Sequence, residues 1–111
     1  SGFLQAQHAE RVLRASPSWE IVTPAQMGII TFRYRHATLS PADLDAVTAR
    51  AVDRMRLEGQ ALIMSTMLGE RPALRLCTIH PAGTLADVDR SLAQLHGFLE
   101  AEAALLQTPP D

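Results

Sequence analysis

At 111 residues, with 47% hydrophobic and 20% charged residues, the chain has the size and composition of one globular domain. Its formal net charge of −2 and pI near 6.0 argue against a general nucleic-acid binder and a basic membrane-surface module. No apolar run approaches the ~20 residues of a membrane span, and no charged-then-apolar leader opens the chain. The single cysteine, Cys77, excludes an internal disulfide and a cysteine-rich zinc site, so a reducing cytoplasm is the expected compartment. All ten basic residues are arginine. Chemistry that needs a lysine amine, whether a Schiff base, a lysine general base or a phosphate-loop lysine, is closed to this chain alone.

Residues 3–15, FLQAQHAERVLRA, place Phe3, Leu4, Ala6, Val12 and Leu13 at helical spacing, and Ser16-Pro17-Ser18 stops the helix. WEIV (19–22) reads as a short strand followed by a turn at TPAQ, and MGIITFRY (27–34) as a longer strand rich in β-formers. After a loop, Ser40 is positioned to cap a helix with Pro41 at its first position and Asp43 at its third. That helix is predicted to run to about Leu57 with Leu44, Val47, Ala51 and Met55 on its buried stripe, and Gly59 is its expected stop. ALIMSTML (61–68), the turn GERP (69–72) and ALRLCTI (73–79) form an antiparallel hairpin, ended by HPAG. Thr84 caps a last helix with Leu85, Val88, Leu92, Leu95 and Leu99 facing inward, and TPPD is a frayed tail. The order α-β-β-α-β-β-α predicts an α+β fold, a mostly antiparallel four-stranded sheet with helices.

The strands do not alternate apolar with polar as a sheet with one wet face should. The helices can cover one face. For the other, three covers are open: the first helix crossing over, a second copy of the chain, or a larger domain.

His8, His36, His80 and His96 show no metal-ligand spacing, so no metal is expected. Ser65 and Thr66 lack a nucleophile elbow and read as structural, and Cys77 reads as a small core residue. FRYR (32–35) interleaves aromatics with arginine, a weak pattern for RNA binding in an acidic chain. Asp43, Asp45 and Asp53 with Arg50, Arg54 and Arg56 read as a solvated helix face. Arg75 stands out, because it puts a permanent cation between Leu74 and Leu76 in the middle of an apolar run. It is either half-exposed, or paired with Glu70 or a helix aspartate, or free to receive an anion through the two parallel hydrogen bonds a guanidinium offers a carboxylate.

The stretches GIITFRYR and ALIMSTMLGERPALRLCTIHPAGTLADVD resemble the C-terminal small domain of the group II pyridoxal-phosphate-dependent amino-acid decarboxylases, the aromatic amino-acid, glutamate and diaminobutyrate decarboxylase relatives. The likeness runs from about residue 3 to 106. It implies the small domain of a fold-type-I enzyme, with helices on one face of the sheet, residues 1–16 leading in from a missing large domain and residues 17–111 forming the small domain. Pyridoxal phosphate would be bound by that large domain, leaving no catalytic and no cofactor-binding residue in this chain. The resemblance makes Arg75 the receptor of the substrate carboxylate. It also implies a cytoplasmic homodimer acting on an amino acid, with no nucleic acid or membrane partner. The alternative from a different class is a free-standing, non-catalytic ligand-sensing or oligomerisation module of the same topology.

Overall fold

The computed structural model describes residues 2–26, 29–58, 63–77 and 85–107. The elements follow in the expected order: α1 (Gly2–Arg14), β1 (Trp19–Gln26), β2 (Ile29–Tyr34), α2 (Pro41–Leu57), β3 (Ile63–Leu68), β4 (Arg71–Cys77) and α3 (Leu85–Gln107). The four strands make one antiparallel sheet in the order β1-β2-β4-β3. The expected helix stop at Gly59, cap at Thr84, turn at 80–83 and tail at 108–111 lie outside the described residues, as do 27–28, 61–62 and 78–79 of the expected strands.

Local chemistry accounts for the boundaries. The Ser40 hydroxyl accepts from the Asp43 N–H at 3.2 Å, satisfying one of the free donors of the first turn, and Pro41 sits where its missing N–H costs nothing. Glu58 closes the other end through a backbone bond to Arg54. The β3–β4 turn is tighter than GERP suggests. Only Gly69 and Glu70 lie between the paired residues Leu68 and Arg71, and Gly69 takes φ +66°, the left-handed region that favours glycine. Arg71 and Pro72 therefore belong to β4. Pro72 is tolerated because the β2 ladder reaches β4 only from Leu74 to Cys77, so no donor is needed from Pro72 on that side.

TPAQ, expected as a turn, is strand: β1 continues through it to Gln26. β1 is an edge strand that bonds on one side only, and its register against β2 slips between Ile21 and Thr23 and again between Thr23 and Gln26. Those irregularities are where an edge strand accommodates a proline such as Pro24.

All three helices bury against the same sheet face. Ile30, Phe32 and Tyr34 of β2, Leu74 and Leu76 of β4, Trp19 and Ile63 share one cluster with Val47, Ala51 and Met55 of α2, and with Val88, Leu92, Leu95 and Leu99 of α3. Ala9 and Leu13 of α1 join that same cluster, and His8 Nε2 lies 2.7 Å from Asp89 Oδ1, tying α1 to α3. Trp19 meets Phe32 and Tyr34 edge-on at 5.3 and 5.9 Å between centroids. So α1 does not cross to the far face. One side of the sheet carries every helix and the other has no cover from the described residues of this chain.

Candidate functional site

Strand alternation decides what the uncovered face presents. The register makes Thr31 and Met64 the direct neighbours of Arg75 on its two sides, with Ile29, Arg33, Thr66 and Ala73 on the same face. This face is more polar than the apolar surface expected from strands 27–34 and 73–79. The large apolar side chains Ile30, Phe32, Leu74 and Leu76 all point to the helices, and what remains beside Ile29 and Met64 is small, hydroxylated or cationic. Met64, at 49% exposed, is its one large apolar group in the open, counted over the described residues.

Arg75 is half-buried. Among the described residues no carboxylate pairs with it, and Glu70, which could have, is exposed in the hairpin turn. Its backbone is held on both sides, because β4 lies between β2 and β3, and from below by Leu74 and Leu76, each fully buried. A guanidinium so placed can receive a carboxylate through paired N–H donors. Beside it, Thr31 is 8% exposed and its Oγ1 has no hydrogen-bond partner among the described residues.

The basic character continues along the face. Arg33 and Arg35 of the β2 end and Arg71 of β4 line an open cleft of about 640 Å³ with His36, opposed by Glu20 and Glu100. Arg33 Nε donates to the Pro72 carbonyl at 3.3 Å, and Arg71 Nη2 meets Asp45 Oδ1 at 3.2 Å. At the cleft wall the Tyr34 hydroxyl donates to Glu100 Oε1. Glu100 also faces His96 Nε2 at 3.3 Å, and the same nitrogen lies 3.3 Å from Ser18 Oγ. Burial, then the hydrogen bond to Glu100 and its charge, push the Tyr34 phenol well above its ordinary value. These bonds pin β2 to α3. They were missed from the sequence, although the His96–Glu100 spacing of four on one helix was there to be read.

The α2 face is not merely solvated. Asp53 and Arg56 do form an exposed pair at 3.0 Å. But Arg54 reaches the buried Glu102 of α3 at 3.4 Å and lies 4.7 Å above the Phe98 ring, and Asp45 holds Arg71. FRYR divides by alternation: Phe32 and Tyr34 are core, Arg33 and Arg35 are not. The Cys77 side chain and all of His80 lie outside the described residues. Among the described residues no helix is long and apolar enough to cross a membrane.

No family model matches the chain. It is 32% identical over 100 residues to an aromatic-L-amino-acid decarboxylase of Bacillus atrophaeus, a match over 89% of this chain and 21% of that protein. Its fold is similar to Oryza sativa TDC solved with PLP and tryptamine (TM-score 0.81, 21% identity), over 91% of this chain and 22% of that one. Catharanthus roseus tryptophan decarboxylase in complex with L-tryptophan gives a TM-score of 0.79 at 20% identity, over 92% and 21%. The glutamate decarboxylase domain of a Vibrio parahaemolyticus diaminobutyrate-pyruvate transaminase and L-2,4-diaminobutyrate decarboxylase gives 0.76 at 18%, over 90% and 21%. The chain thus spans about a fifth of the length of the relatives it matches.

Proposed function

We propose, from a likeness to group II pyridoxal-phosphate-dependent amino-acid decarboxylases carried by both sequence and fold, that this chain is the C-terminal small domain of such an enzyme. Residues 1–16 lead in from a large domain, residues 17–111 form the small domain, and the open sheet face is where the large domain docks. Arg75 receives the carboxylate of the amino-acid substrate. The observation that carries this reading is a half-buried arginine, on a central strand of the uncovered face, with no carboxylate among the described residues to meet it. The parent enzyme acts in the cytoplasm as a homodimer, a part of the proposal that rests on the resemblance alone.

The chain has no lysine, so it does not fit pyridoxal phosphate as a group held through a lysine amine, and no chemical step belongs to its own residues. What Arg75 supplies is binding and orientation. The carboxylate loses its charge as carbon dioxide departs, so a guanidinium on it favours the bound substrate more than the transition state. Substituting Arg75 should therefore act through a raised KM and leave kcat undiminished.

The test joins the chain to the coding sequence upstream of it, loads the product with pyridoxal phosphate, and measures carbon dioxide release from aromatic, acidic and diamino acids. Release from one of these classes, with Arg75→Ala lowering kcat/KM by about 30- to 1,000-fold, is expected for a carboxylate bound in a water-poor site. An upstream sequence with no lysine-bearing domain would instead leave the free-standing module.

A further inference from the structure

Two buried side-chain polar atoms lack a hydrogen-bond partner among the described residues, Arg71 Nε and Thr31 Oγ1. Arg71 still has Asp45 at its Nη2, whereas Thr31 has no other polar side-chain atom to satisfy. An unmade hydrogen bond at a buried hydroxyl is costly, and valine has the same shape, prefers strands and removes that cost. Thr31 stands directly across from Arg75 in the β2–β4 ladder, on the open face. Direct cross-strand neighbours are about 5 Å apart at Cβ, within the span of an arginine Nε. The hydroxyl is covered from solvent, so it can meet a side chain lying over it but not a ligand arriving from outside.

We infer that Thr31 is the positioning residue for Arg75: when a carboxylate seats, Thr31 Oγ1 accepts the Arg75 Nε–H and fixes the guanidinium so that its two terminal amino groups meet the carboxylate end-on. This rests on the reading of Arg75 as carboxylate receptor. It assigns the unpartnered hydroxyl a bond made in the liganded state, and it leaves Arg75 the pair of parallel donors that a carboxylate matches.

The experiment compares Thr31→Val, Thr31→Ser and Arg75→Lys in the full-length, cofactor-loaded protein, and repeats the threonine variants in the 111-residue chain. In the enzyme, Thr31→Val should raise KM for the amino acid about fivefold with kcat nearly unchanged, the loss of one hydrogen bond, while Thr31→Ser stays within about twofold of wild type. In the chain, propionate should shift the nitrogen-15 signal of the Arg75 Nε–H in wild type and Thr31→Ser but not in Thr31→Val, whose melting temperature should be no lower than wild type. Equal shifts in wild type and Thr31→Val, or a shift in neither, overturn the inference. So does a Thr31→Ser enzyme as impaired as Thr31→Val, which would mean packing and not the hydroxyl. If Arg75→Lys raises KM and Thr31→Val does not, the role of Thr31 fails and that of Arg75 stands. If Arg75→Lys leaves KM unchanged, the carboxylate receptor itself fails.

Discussion

Two arginines, one on a helix and one in a strand, should respond differently to truncation in the 111-residue chain. Arg75 lies between Leu74 and Leu76, whereas Arg54 follows Asp53 on a helix, meets Glu102, 8% exposed, at 3.4 Å and lies over Phe98. Arg54→Ala leaves a buried carboxylate without its cation and removes a cation–π contact. A fully buried pair broken this way costs about 3–5 kcal/mol, and an exposed one at most about 1. The Arg54 side chain is 44% exposed, so about 2 kcal/mol is the expected loss, part of it the contact with Phe98. Among the described residues Arg75 has no such partner, and its removal trades the packing of its stem against relief of a half-buried charge. A change within about 0.5 kcal/mol, of either sign, follows. Urea unfolding separates the two: with a slope on the order of 1–1.5 kcal/mol per molar, Arg54→Ala should lower the midpoint by about 1.5 M and Arg75→Ala by under half a molar. An Arg75→Ala midpoint that falls as far as that of Arg54→Ala would mean Arg75 has an internal partner, and the receptor argument would lose its footing.

Tyr34 is the only tyrosine, so the tyrosinate absorbance of the folded protein reports it alone. Its phenol is raised, so its contribution to stability is whole below the ordinary value near 10 and is lost as pH rises above it; the band should appear together with unfolding. A titration midpoint near 10 with unchanged circular dichroism would contradict the Glu100 bond. Phe32 is fully buried, and Phe32→Ala should cost about 3–5 kcal/mol, enough to unfold much of the population of a domain of ordinary stability, as read by thermal melting. Gly69→Ala has open space for its methyl, so any loss comes from the left-handed φ alone, about 1–2 kcal/mol by the same melting assay.

The helix start at Ser40 and the order of elements along the chain were legible in the sequence because they depend on neighbours a few residues apart. Ser40, Pro41 and Asp43 mark a helix start wherever they occur together, and the stripes Val47–Ala51–Met55 and Val88–Leu92–Leu95–Leu99 allow one buried face each. TPAQ was misread because whether a proline breaks a strand depends on whether the strand is an edge, and only the assembled sheet settles that. The side chosen by α1 was equally hidden, since Ala9 and Leu13 would serve a helix on either face. At the site, Arg75 was conspicuous by its neighbours, whereas Thr31 was not. Nothing in GIITFRYR says that its threonine faces an arginine 44 positions later; the register of β2 against β4 does.

A receptor for a small anion needs a rigid backbone under a free head group, and those demands normally conflict, since the contacts that fix a side chain also occupy it. β4 separates them by alternation. Leu74 and Leu76 lock the strand into the core that the helices share, the ladders to β2 and β3 fix it laterally, and Arg75 between them points to the side that no described helix covers. The open face also gathers Arg33 and Arg75, and at its end Arg35 and Arg71, in a chain whose net charge is −2. The compensating acids sit elsewhere: Asp43, Asp53, Asp87 and Asp89 lie on the helices, and only Glu20 opposes Arg33 in the sheet. The helices also carry Arg11, Arg14, Arg50, Arg54, Arg56 and Arg90 against those acids, so their side is close to balanced, and an anion approaching this molecule is drawn to the sheet side.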